Sequence, residues 1–248
     1  MAHRWSASLW VLFTILVLVN LPHAQTQPAN PNPQKGVAGK PGGDLELVEK
    51  LLTLRRDYQK NLEQLHAYYF QVQDNERARW AAEELRHFHR IPKHAFILDL
   101  DVPPPNLSGN QHVAEANKLF TWALSFKDKG WGTDYVDNQR RAEVIFQEIL
   151  TKYPHSDKIS DVAFMLGDIY ESNAYRQYYR AVEYFQRCFQ WNTKTNHDAR
   201  LRAARLYDRH LNNRTKAIEL YREVVSKDTD PGRHREAEKR IAELSAPR

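Results

Sequence analysis

The chain is predicted to be all-α: a solenoid of about three stacked helix pairs closed by a C-terminal cap, preceded by a long αα-hairpin. Two observations predict this. First, an Ala followed four residues later by an aromatic ring and four after that by an apolar side chain recurs three times. The sets are Ala142, Phe146, Leu150; Ala181, Phe185, Phe189; and Ala217, Tyr221, Val225, with Ala-to-Ala steps of 39 and 36 residues. Second, each set is preceded by a small residue with an aromatic three positions on: Ala123 with Phe126, Gly167 with Tyr170, Ala204 with Tyr207. Small residues let one helix backbone approach the next, and the rings fill the space between pairs. A two-helix unit that cannot bury its apolar face alone must stack on its neighbours.

The elements follow in order. Leu9–Val19 is apolar except for Thr14, follows Arg4, and ends at Asn20-Leu21-Pro22. A run this short fits a secretory signal over residues 1–25 better than a bilayer span. An uncleaved N-terminal anchor is the alternative, because Pro22 is a poor neighbour for cleavage after Ala24. Residues 26–43 are rich in Pro, Gly, Asn and Gln and hold one valine, so they have too little to bury to offset the entropy of ordering. They read as a disordered linker.

Helix signals begin at Asp44, an expected N-cap. Leu47, Leu51, Leu54, Tyr58, Leu62, Leu65 and Tyr69 form one apolar stripe over about six turns. Asp74-Asn75 breaks it, and a second helix follows over Glu76–Arg90 with Ala78, Ala81 or Ala82, Leu85 and Phe88 inward. The short turn implies antiparallel packing. From Pro92 to Asn110 the chain is expected to be irregular. Ala95–Leu98 tucks against the helices, Asp99 and Asp101 lie on a strand-like edge, and Pro103-Pro104-Pro105 serves as a rigid spacer. This connector marks the boundary between an N-terminal segment, 44–110, and a repeat domain, 111–248. The array's helices are expected at about His112–Lys127, Asp137–Lys152, Lys158–Asn173, Arg176–Trp191, His197–Leu211, Arg214–Ser226 and Arg233–Leu244. Pro154 closes the first pair. The last helix, with Ala237, Ile241 and Leu244 on one face and charge elsewhere, reads as the cap.

With those residues in view, the chain resembles the tetratricopeptide repeat family. It is most similar to exported bacterial members, such as those of β-barrel assembly and of the Tol–Pal system. The closest stretches are Arg141–Ser156 and Val162–Tyr170, and the likeness runs over about 112–244. The resemblance implies a protein-binding scaffold with a groove lined by the first helix of each pair. Its packing positions are Ala142, Phe146, Pro154, Gly167, Tyr170, Ala181, Phe185, Ala204, Tyr207, Ala217 and Tyr221. The helix-face candidates for partner contact are Asp161, Phe164, Asp168 and Glu171 in the second pair and Arg200, Arg205 and Asp208 in the third. Polarity along that groove is expected to shift from acidic to basic.

Other chemistries find little support. His87, His89 and His94 sit near Glu83 and Glu84 but lack an i, i+4 histidine pair, so no metal or other cofactor is expected. No nucleophile elbow, phosphate loop or dinucleotide fingerprint occurs, and the chain is read as non-enzymatic. The formal net charge is +5 and resides in residues 199–248, where Arg and Glu alternate as on a solvated helix. Arg200, Arg202, Arg205, Arg209 and Arg214 with Tyr207 and His210 could suit nucleic acid. No nucleic acid is expected, given the reading of export and Tyr207's packing role. The single cysteine, Cys188, forbids an internal disulfide, excludes a lipid anchor after the signal, and is read as a packing residue. The expected partner is another protein or peptide segment, met in the periplasm or cell envelope. Membrane contact is expected only if the N-terminal segment stays uncleaved, when the chain would act as an anchored tether.

Overall fold

The computed structural model describes residues 43–246, and the expected signal and most of the linker lie outside these residues. Ten helices follow in order: α1 (Leu45–Gln71), α2 (Asn75–Arg90), the single turn α3 (Leu98–Asp101), α4 (Ala114–Phe126), α5 (Gly132–Lys152), α6 (Ile159–Glu171), α7 (Tyr178–Trp191), α8 (Ala199–Arg209), α9 (Arg214–Lys227) and α10 (Pro231–Ser245). No strand occurs among the described residues. Sequential neighbours pack as α1 with α2, α4 with α5, α6 with α7, α8 with α9, and α10 on α9. The result is a tetratricopeptide-like superhelix of three pairs and a cap, with a long hairpin before it.

The small-and-aromatic code positions every interface in the array. Ala142, Phe146, Tyr170, Ala181, Phe185, Ala204, Ala217 and Tyr221 are fully buried, while Tyr207 and Pro154 are half-buried. Phe146 meets Phe120 at 5.7 Å between ring centroids, which joins α5 to α4. Gly167 faces the Phe185 ring so closely that a Cβ there would lie 2.6 Å from Cδ1. Cys188 is buried and free, as a packing residue should be. Burial pushes its thiol up to about 11, so it stays protonated.

Three helix starts use side-chain caps. Asp74 accepts from the Arg77 amide, Asn213 from Lys216, and Asp230 from Arg233. Pro231 opens α10 at its first turn, where a missing N–H costs nothing, so the cap helix starts two residues earlier than expected. Asp44, by contrast, does not cap α1 with its side chain. Helix α5 begins at Gly132 rather than Asp137. Asp128, Gly130 and Gly132 all take positive φ, which completes the reversal in a few residues and frees the following ones for helix.

The N-terminal segment leaves much of its apolar stripe open, and its connector departs from the expected form. The α1 stripe is not covered: of its seven residues only Leu62 is buried, Leu51 and Tyr69 are half-buried, and Leu47, Leu54, Tyr58 and Leu65 are exposed. α1 spans 27 residues and α2 only 16, so one partner helix cannot shield six turns. The connector is also not a strand-like edge ending in a spacer. Leu98–Asp101 forms a helical turn, Val102 is buried, and Phe96 stays exposed beside Arg55.

The connector runs alongside α7, and four side chains at i, i+4, i+7 and i+11 of that helix hold it. Arg180 Nη1 donates to the Lys93 carbonyl at 3.1 Å and ion-pairs with Asp101. Tyr184 Oη donates to the Asp101 carbonyl at 3.3 Å. Arg187 Nε donates to the Pro103 carbonyl at 2.7 Å, and Trp191 Nε1 to that of Pro104 at 3.0 Å. Prolines offer carbonyls without competing N–H donors, which suits a strip of side-chain donors. The proline run is therefore a docked strap. Beneath it, Glu143 accepts from Tyr170 at 2.7 Å and from Tyr175, and Gln147 Nε2 donates to the hydroxyls of Tyr170 and Tyr184 at 3.1 and 2.7 Å.

The hairpin joins the array through α2 and α5. Arg90 Nε donates to Asp137 at 2.7 Å, and Arg140 donates to the His89 carbonyl. Burial, aided by the Lys93 charge, pushes the His89 imidazole down to about 4. A folded value below the unfolded one means the neutral ring stabilises the fold above about pH 6.5, and this contribution is lost as pH falls toward 4. Between pH 7 and pH 4.5 the wild type is expected to lose about 2 kcal/mol more than His89→Gln, after discounting for the partial exposure of the ring. Urea unfolding of both proteins at the two pH values checks this. Equal losses would place the acid sensitivity elsewhere.

Candidate partner-binding face

The first helices of the array carry a mixed-charge face. On α6, Asp161, Phe164, Asp168 and Glu171 recur at spacings of 3, 4 and 3 and so share one side. All four are half-buried, because the next pair contributes side chains that reach across to them. His197, just before α8, lies flat on Phe164 with centroids 4.1 Å apart and planes at 9°, and its Nε2 is 3.0 Å from Asp161 Oδ1. Arg202 reaches Asp168 at 2.5 Å and Glu171 at 2.7 Å. Lys127, at the end of α4, also grips Asp168. Burial works against the Asp168 carboxylate, yet Lys127 and Arg202 together hold it below its ordinary value.

The ladder continues to the cap. Arg205 makes a two-pronged contact with Glu236 of α10 at 2.7 and 2.5 Å. Asp208 accepts from Arg240 Nε at 2.9 Å and from the Tyr221 hydroxyl at 3.2 Å. Hydrogen bonding from Arg205 pulls the Glu236 carboxyl below its usual range. Charges thus alternate from α4 to α10, each pairing with a neighbouring first helix. The expected shift from acidic to basic does not exist, because the acidic α6 residues are matched by Lys127 and Arg202 and the basic Arg205 is matched by Glu236. Between α6 and α8 lies an open, polar depression of about 320 Å³ lined by Glu171, Asp198, Arg202, Arg205 and His210.

One proposed contact residue is not on this face. Arg200 is 3 % exposed, and its Nη1 sits 3.1 Å from Asp228, whose side chain is equally buried. Its guanidinium also lies 4.7 Å over the Phe189 ring and donates to the Thr193 carbonyl at 3.3 Å. Helical phase explains the error: Arg200 and Arg205 are five residues apart and therefore about 140° apart around α8. The same phase identifies Arg202 and His197, which the sequence reading of this face passed over. Arg202's place at i−3 from Arg205 is the signal that would have found it.

Of the five arginines considered for nucleic acid, four have partners within the fold and Arg209 is exposed. Arg200, Arg202 and Arg205 face carboxylates, Arg214 donates to the Ala246 carbonyl at 3.0 Å, and His210 stacks on Tyr178 at 4.1 Å. Among the described residues, no three His, Cys, Asp or Glu side chains converge in a way that would hold a metal ion. The histidines of α2 point apart in environment as well: His89 is half-buried at the α5 junction and His87 is exposed.

Residues 198–230, which cover α8 and α9, match the tetratricopeptide repeat family. No curated protein matches the chain. The matched pair is the one whose first helix carries Arg202, Arg205 and Asp208.

Proposed function

We propose that the protein is an exported, non-enzymatic interaction scaffold of the bacterial cell envelope that binds a protein or peptide segment along the first-helix face of its array. The supporting observation is the row of ion pairs along this face, Lys127 with Asp168, Asp168 with Arg202, and Arg205 with Glu236, mixed in sign and half-buried except for the buried Lys127. Such a surface suits an extended segment whose own charges alternate, since each half-exposed ion retains capacity for another hydrogen bond. Phe164, with His197 stacked on it, supplies an apolar step within the polar row. A tetratricopeptide repeat at 198–230 is consistent with protein binding and leaves the partner's identity open.

The ion pairs allow a test that spares the fold. Exchanging the two charges, Arg205→Glu with Glu236→Arg, keeps the pair and inverts its orientation on the face. Capture from native envelope extract by the mature protein should lose its specific partner with the exchanged variant, and wild-type capture should weaken as salt rises. Unchanged recovery with both proteins would move the binding site off this face. Export is tested separately: N-terminal sequencing of the natural protein should find a new terminus near Gln25, whereas an intact Met1 in a membrane fraction would favour the anchored tether.

A further inference from the structure

The long hairpin leaves an exposed apolar face along α1. Leu47, Leu54, Tyr58, Leu65 and Val72 lie within about 40° of one another around α1, and each is between 43 and 67 % exposed. Trp80 extends the patch onto α2: it is 53 % exposed and one turn before Glu84, which accepts a hydrogen bond from Tyr58. With Tyr68 beside them, these side chains expose on the order of 700 Å² of apolar surface, taking aromatic side chains at 150–250 Å² each. That exceeds the patch of a typical monomer and approaches the roughly 800 Å² per partner of a standard interface.

We infer that α1 pairs antiparallel with α1 of a second copy, joining two hairpins into a four-helix bundle. The stripe is nearly palindromic. Sliding two copies so that Leu54 faces Leu65 also sets Leu47 opposite Val72, and Tyr58 opposite Asn61, which offers its amide to the ring hydroxyl. The flanking charges agree with this direction. In this register Lys50 comes level with the second copy's Tyr69 and Asp57 with its Leu62, so no like charges meet. A parallel pairing would instead set Lys50 against Lys50 and Asp57 against Asp57. Antiparallel α1 helices also oppose their dipoles, and the contact is isologous and closes at two copies. The first-helix ladder lies on α4, α6, α8 and α10, so the pairing uses none of its residues. The dimer would present two arrays and raise avidity for a partner with repeated segments.

Cysteine cross-linking tests both association and direction, because the single natural cysteine is buried. In the full chain, Leu54→Cys with Leu65→Cys should form an interchain disulfide on mild oxidation. Within one helix these positions are about 16 Å apart, beyond disulfide reach. Neither single variant should cross-link, since each meets a leucine in the antiparallel pair. Sedimentation equilibrium of the unmodified chain should give twice its 29.1 kDa. Leu54→Gln with Leu65→Gln, both at exposed positions, should give 29.1 kDa with an unchanged helical spectrum. Cross-linking by Leu54→Cys alone would overturn the antiparallel register. A monomer at micromolar concentration without a double-variant cross-link would overturn the pairing itself.

Discussion

Gly167→Leu should unfold the middle of the array, lowering stability by about 3 kcal/mol or more. The side chain would enter space already held by the Phe185 ring, since even its Cβ would meet Cδ1 at 2.6 Å and Cε1 at 2.7 Å. Helix propensity acts in the opposite direction, because replacing a mid-helix glycine gains up to about 1 kcal/mol. The clash wins: both helices are anchored by buried neighbours, Leu166 and Ile169 on α6 and Ala181 and Val182 on α7, so neither can retreat. Urea denaturation followed by circular dichroism should show a lower midpoint, and Gly167→Ala should show a smaller fall. Combining Gly167→Ala with Phe185→Leu should cost less than the two changes summed, because each relieves the other. Full additivity would mean that the pair is not in contact.

Arg200→Glu should be nearly as damaging, at about 3–5 kcal/mol, because it places a carboxylate against the buried Asp228. Glu223, whose carboxylate is 3.8 Å from Arg200 Nε, adds to the repulsion. The flat Phe189 ring under the guanidinium would lose its cation as well. A double change, Arg200→Met with Asp228→Leu, should recover much of the loss, since it removes both charges and retains apolar volume. Thermal unfolding of the two variants beside the wild type checks the order. If Arg200→Glu unfolds like the wild type, the pair is solvated and the burial is wrong.

The fate of Arg200 shows how much a sequence discloses. Packing along a helix was readable because Ala, Gly and aromatic residues at 3- and 4-residue spacings encode contact with the adjacent helix, and Ala142, Ala181, Ala217, Phe146 and Phe185 are all buried accordingly. Helix order and the cap were readable for the same reason. Charged residues carry no such code. An arginine on a helix is usually solvated, and only a partner 28 residues away, Asp228, makes Arg200 a core residue. The proline strap was misread because a Pro-Pro-Pro run looks like a spacer, and its docking depends on donors on α7 some 84 to 87 residues distant. The α1 stripe was correctly found as apolar, but periodicity reports only that a face wants cover. Its cover depends on the length of α2, which stops too soon.

The face itself was half legible. Asp161, Phe164, Asp168 and Glu171 share a side of α6 because of their spacing, and Arg205 and Asp208 meet α10 from α8. Missing from that reading were the cross-helix partners Lys127, His197 and Arg202, which bind the row into one ladder. Their sequence distances from α6 residues range from 31 to 41, so no local pattern links them.

Site-specific photo-cross-linking in the native cell reports whether a partner lies on the first-helix face. A photoreactive residue placed singly at Asp161, Glu171 and Arg205 samples the ladder, and one at Glu219, exposed on α9, samples a second helix of the same array. Adducts of one common protein are expected from the three ladder positions and none from Glu219. Adducts absent from all three, with capture of another protein confined to Leu47 or Leu65 on α1, would contradict binding on that face.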